Sequence, residues 1–158
     1  MAHKCEAVID LNSIKNNYKI ACSLAPDSKS IAVIKADAYG HGAVKVTKAL
    51  EGIAPAFAVA IIDEAIELRN AGVKKMILVM EGVDGADDLK YAAKNDLSVV
   101  VHNESQLLNL ENARLPNPVS VWLKVDTGMH RLGIEPNKVE DAVTRLRACK
   151  NCKSSLIV

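Results

Sequence analysis

Short apolar runs that alternate with helical segments restrict the fold of this chain more than any other feature. Ile31–Ala36, Ala56–Ile61, Lys75–Met80, Leu97–His102 and Val119–Asp126 read as strands, and Ser155–Val158 as the start of one more. Between them, Ala43–Leu50, Asp63–Asn70, Ala86–Lys94, Glu104–Ala113 and a segment opened by Pro136 or Asn137 and ending at Ala148 read as helices. Gly72 stops the second of these, and Asn103 is placed to cap the fourth. Strands that are continuous apolar runs rather than alternators are buried on both faces, and a helix between successive strands makes the sheet parallel. The fold class is therefore α/β. Periodicity leaves a doubly wound sheet and a (β/α)8 barrel equally open.

Upstream of Ile31, Lys4 to Leu11 reads as an extended segment, and Asn12 or Ser13 as the cap of a helix reaching about Ala25. Aromatic residues are only 3% of the 158, so the core has to be built from Val, Ile, Leu and Ala, which suits a sheet wrapped by helices. A net charge of +1 with no basic cluster gives no electrostatic case for nucleic acid. No apolar run approaches the length of a membrane span, and the N-terminus lacks a signal peptide's apolar stretch, so a cytoplasmic protein is expected. Cys149-Lys150-Asn151-Cys152 is a lone CxxC without the second ligand pair of a zinc site, and no metal is expected. His3 reads as part of a disordered terminus.

Within the first strand, Ile31, Val33 and Lys35 share one face and Ala32, Ile34 and Ala36 the other. Lys35 is thus aimed from a buried strand toward a pocket at its C-terminal end. Burial disfavours the ammonium and frees the amine as a nucleophile, as Schiff-base chemistry requires. The bland alternative is a lysine that lifts its head to solvent. A glycine-bracketed turn, Tyr39-Gly40-His41-Gly42, follows at once.

The stretch Lys35-Ala36-Asp37-Ala38-Tyr39-Gly40-His41-Gly42 resembles the pyridoxal-phosphate lysine motif of alanine racemases. Leu123-Lys124-Val125-Asp126-Thr127-Gly128-Met129-His130-Arg131-Leu132-Gly133 resembles the family's other signature block. The two motifs stand in the family's order, and the likeness extends from Ala7 to the end of the chain. It implies a TIM-type barrel, which usually takes about 250 residues, so this chain would supply the first five to six of eight strands. Residues 1–10 would form an extended segment packing with a C-terminal β-domain, and 11–158 an incomplete barrel.

By the same resemblance, Lys35 bonds pyridoxal 5'-phosphate covalently and moves the substrate's α-proton on one face. Tyr39 contacts the cofactor phosphate. Arg131 touches the cofactor's phenolic oxygen and the substrate carboxylate, a task that suits its planar fork of donors. Lys124 matches a lysine that many family members carry carbamylated. His41 reads as structural, and Asp37, Glu81, Asp126 and His102, all near strand ends, match no catalytic position. The activity implied is interconversion of L- and D-alanine for cell-wall precursors by a homodimer. The isolated chain is expected to be inactive, because the family's second base, a tyrosine, comes from the partner's β-domain. Other readings are a racemase of another amino acid, a non-catalytic pyridoxal-phosphate carrier and an inert structural remnant. A decarboxylase of the same barrel type fits the Tyr39–Gly42 continuation less well.

Overall fold

A computed structural model describes residues 5–158; His3 and the start of the extended segment at Lys4 lie outside the described residues. Cys5–Asp10 is exposed and without regular structure. The first helix, α1 (Leu11–Ser23), is capped by Asp10 rather than by Asn12 or Ser13. The Asp10 carboxylate accepts from the backbone N–H groups of both those residues, at 2.8 and 3.3 Å. All three residue types make good caps, and only the turn geometry selects among them.

Six parallel strands follow in the order of the chain: β1 (Ala32–Val33), β2 (Ala56–Val59), β3 (Met76–Val79), β4 (Ser98–Val101), β5 (Val119–Leu123) and β6 (Cys152–Ile157). The connections carry α2 (Lys35–Gly40), α3 (Ala43–Leu50), α4 (Ile62–Asn70), α5 (Ala86–Lys94), α6 (Glu104–Asn112) and α7 (Val139–Ala148). A 3-10 turn, Pro136–Lys138, leads into α7, with the fixed φ of proline at its first position. Strand neighbours that are also sequence neighbours, each joined through a helix, make up the run of a (β/α)8 barrel, here six strands of it. Among the described residues no helix is long and apolar enough to cross a membrane.

The sheet has two unlike faces. Phe57, Val59, Ile77, Val79, Val99, Val101, Val121 and Leu123 point toward the helices and form the main core with Leu68, Leu89, Leu107, Leu110 and Leu146. The opposite, concave face carries the alternate residues, where Ala58, Leu78 and Val100 pack with Ile31, Met80 and Trp122. Register fixes which residues stand side by side there. Val33 pairs with Ala58 and Ala58 with Leu78, while Val100 pairs with Trp122 and Trp122 with Leu156.

The first strand is shorter than its apolar run suggests. It ends at Val33, and Lys35 opens a turn in which Ala36, Asp37, Ala38 and Tyr39 all have φ between 51 and 55° and ψ between 40 and 53°. These are left-handed helical values, so α2 is a left-handed turn rather than a kinked right-handed helix. β6 in turn starts earlier than expected, at Cys152, because its register with β5 begins at Val119.

Candidate active site

Because side chains alternate along a strand, the residues two places beyond the concave-face row must form the next layer, at the C-terminal mouth of the sheet. Those residues are Lys35 after Val33, Ala60 after Ala58, Met80 after Leu78, His102 after Val100 and Lys124 after Trp122. All five line one open cavity of about 600 Å³, together with Arg131. Five strand ends therefore converge on one site, at the face where barrel enzymes carry their chemistry.

Lys35 is half-buried at this mouth, and so is Lys124. Among the described residues neither amine, nor the exposed Arg131 guanidinium, lies within 4.0 Å of a carboxylate, and none of the three side chains makes a hydrogen bond. Gathering three cations around one cavity is electrostatically unfavourable unless an anionic group joins them. Glu81, Asp84 and Asp88 lie along the same cavity, beyond salt-bridge distance of the three cations.

Tyr39 does not join this site. It is 60% exposed and flanks a separate apolar groove beside Tyr18 and Ile31. The left-handed turn carries its side chain away from that of Lys35.

That turn would be unstable alone. Left-handed helical residues other than glycine cost roughly 1–2 kcal/mol each, or about 4–8 kcal/mol for the four from Ala36 to Tyr39. Side chains clamp it at three points. Glu64, at the third position of α4, accepts the Ala36 N–H at 2.6 Å with one oxygen and the Ala60 N–H at 2.7 Å with the other. Asp37 accepts the Ala43 N–H at 2.7 Å and so caps α3. The His41 ring, with its proton on Nδ1, donates to the carbonyls of Ala38 and Tyr39, at 2.9 and 3.0 Å. His41 is thus structural, as its sequence context suggests, and Asp37 is a cap. Sequence reasoning missed Glu64. Its only signal was an acidic residue in the first turn of a helix, which is commonplace.

The loop bearing Arg131 is likewise tied down. Asp126 was read as the last residue of the fifth strand, but β5 ends at Leu123 and the Asp126 carboxylate turns into the loop. One oxygen accepts from Gly128 and His130 N–H, both at 3.0 Å, and the other meets the His130 ring at 2.9 Å. The backbone N–H of His130 and then that of Gly128 hold the Asp126 carboxyl below the usual carboxylate range. The loop returns where Ile134 donates to the Lys124 carbonyl at 2.8 Å and Asp126 donates to the Ile134 carbonyl at 3.0 Å. Gly133 makes this return feasible. Its φ is +132°, and a Cβ there would sit 2.4 Å from the Asp126 nitrogen.

On the opposite wall, buried Gln106 accepts the His102 N–H at 3.0 Å and donates to the Glu81 carbonyl at 2.9 Å, which fixes the loop after β3. Glu81 and His102 therefore belong to the cavity lining, while Asp37 and Asp126 serve the backbone. Among the described residues no cluster of His, Cys, Asp and Glu could hold a metal ion.

A family model described as "Alanine racemase, N-terminal domain" matches residues 9–158. The chain belongs to this family. It is 49% identical over 142 residues to the alanine racemase of Pseudomonas syringae pv. syringae strain B728a, covering 90% of this chain and 40% of that protein. Against the catabolic alanine racemase of Pseudomonas putida KT2440 the identity is 50% over the same length and coverage. Among solved structures, the biosynthetic alanine racemase of Pseudomonas aeruginosa superposes with a TM-score of 0.90 at 38% identity, over 94% of this chain and 42% of that one. This alanine racemase N-terminal domain thus spans about 40% of the length of the curated relatives it matches.

Proposed function

We propose that the chain supplies the lysine half of an alanine racemase active site, with pyridoxal phosphate as cofactor and alanine as substrate. The observation that carries this reading is the convergence of Lys35, Lys124 and Arg131, three cations without ion-pair partners among the described residues, on one cavity at the strand ends. The residues present fit the cofactor. A cavity of about 600 Å³ lies in the range of small-molecule sites, a primary amine stands at its mouth, and the remaining cations suit a phosphorylated, anionic ligand. When bound, the cofactor supplies a carbonyl carbon for the lysine and a ring that accepts electrons from the substrate's α-carbon.

The chain's own residues then have separable tasks. Lys35 would hold the cofactor through Nζ, and its amine would remove or return the substrate's α-proton on the face it occupies. Arg131 directs its planar guanidinium at an anionic oxygen of the cofactor and at the substrate carboxylate. Lys124 lines the same cavity; addition of carbon dioxide to its neutral amine, with release of a proton, would turn a third cation into an anion that steadies Arg131. Tyr39 matches the family's phosphate contact, but it stands on the turn outside this cavity, so the lining of the cavity does not support that contact. A lysine on one face exchanges the α-proton but cannot by itself invert the carbon.

The reading extends to the longer relatives as a whole. Racemisation, dimerisation, a cytoplasmic location and supply of D-alanine for cell-wall precursors belong to it, as does the packing of the exposed N-terminal segment on a C-terminal β-domain. The 158-residue chain alone is expected to form no D-alanine. The test is incubation with pyridoxal phosphate and L-alanine in heavy water, with the α-proton followed by NMR. The chain should exchange that proton, and Lys35→Ala should not. Equal exchange by both would overturn the reading, and faster exchange of another amino acid would reassign the substrate.

A further inference from the structure

We infer that Glu64 is a positioning residue for Lys35, setting the direction of the amine by holding two backbone amides just beyond the ends of β1 and β2. The inference rests on the cofactor reading above for its consequence, but its geometry stands on its own. Ala36 is the residue next to Lys35, and Ala60 is the β2 member of the layer that lines the cavity beside it. One carboxylate accepts both N–H groups, Ala36 at 2.6 Å and Ala60 at 2.7 Å, and the Ile61 N–H at 3.3 Å.

Three features separate this from an ordinary helix cap. A glutamate at the third helical position normally reaches back to its own N-cap amide, within a few residues. Glu64 does that with one oxygen only, while the other reaches 28 residues upstream. The upstream amide lies where the chain leaves the sheet for its left-handed turn. Ala36 is the first of the four residues with positive φ, so the bond to Glu64 fixes the point at which the backbone changes hand.

Both groups involved are hard to replace. An amide N–H turned out of the sheet finds no strand partner in β2, and although Ala36 is exposed, the half-buried Glu64 carboxylate accepts from it in place of water. A carboxylate has lone pairs on both oxygens, so it can accept from two sides at once. A glutamine of the same shape cannot, because its NH₂ would face an N–H. The amine of Lys35 is separated from Ala36 by a flexible stem, and only a fixed strand end limits the volume it sweeps. Glu64 touches neither substrate nor cofactor in this account and acts entirely through the backbone.

The test compares the chain with Glu64→Gln in two readouts. Amide exchange followed by NMR should show slow exchange at Ala36 and Ala60 in the original chain, with one of the two made fast by the substitution. Pyridoxal phosphate labelling trapped by borohydride should show the share of label on Lys35 falling roughly tenfold relative to other lysines, in a variant whose cooperative unfolding transition shows that it is still folded. An equal fall on all lysines, or an unchanged share on Lys35, would overturn the inference. If Glu64→Gln fails to fold, exchange in the original chain decides it, and fast exchange at either amide rejects it. If the original chain already scatters label over its lysines, the cofactor reading fails, and Glu64 is judged on the two amides alone.

Discussion

At the scale of single residues, the site depends on backbone conformations that its side chains would not choose unaided. Ala36, Asp37, Ala38 and Tyr39 have no intrinsic taste for positive φ, and the bonds from Glu64, Asp37 and His41 impose it. This is why the turn was illegible in the sequence: an apolar run ending in lysine reads as a strand, and the partner that bends it lies 28 residues away. Lys35, Lys124 and Arg131 stood out in the sequence because their motifs are long, and all three line one cavity, the lysines from the strand-end layer and Arg131 from its loop. Tyr39 was singled out only through its motif, and it stands exposed outside that cavity. Gly133→Ala should displace the Arg131 loop, since the new Cβ would meet the Asp126 backbone at 2.4 Å. The expected cost is about 1–3 kcal/mol, readable as a lower unfolding midpoint with loss of protection at the Asp126 and Ile134 amides. Asp126 adds a pH dependence whose sign follows from its depressed folded-state pKa. The loop's support is complete above the ordinary aspartate value of 3.8 and is lost as pH falls through the lower folded value. Protection of the Gly128 and His130 amides relative to their intrinsic exchange rates should therefore persist at neutral pH and fall in acid below 3.8, whereas a loss of protection already near neutrality would reject the cap.

At the scale of elements, α3 and α5 were read with the bounds they have, and α6 was missed by one residue at its end, because each has an unambiguous start and a stripe of buried residues. Asn103 caps α6 as its sequence position suggests, accepting the Gln106 N–H at 2.9 Å. Asn103→Ala should cost about 1 kcal/mol, and thermal unfolding should detect it as a drop of a few degrees. Leu107 on the same helix is fully buried in the core between helices and sheet, and its truncation to alanine should cost about 2–5 kcal/mol. An unfolding midpoint unchanged by Leu107→Ala would contradict the assignment of that face to the core. Strand ends were less legible than helices. The run continues past the last ladder bond at each mouth residue, so β1 to β5 were all read too long. Lys35, Ala60, Met80, His102 and Lys124, which line the cavity, are among those extra residues.

At the scale of the whole molecule, parallel α/β organisation followed from the alternation of elements, but the choice of a barrel did not. A doubly wound sheet would have its strands out of chain order, and here β1 to β6 run in order around a concave face. That order brings Lys35 at one end of the series and Lys124 near the other to a common cavity. The central claim is that this cavity is a cofactor site organised around one amine. It is tested most directly by mixing the chain with pyridoxal phosphate, reducing with borohydride and mapping the label by peptide mass analysis. Label should concentrate on Lys35 and be abolished there by Lys35→Ala, with the remaining lysines little modified. Label spread over the surface lysines, with Lys35 no more modified than the rest, would contradict it.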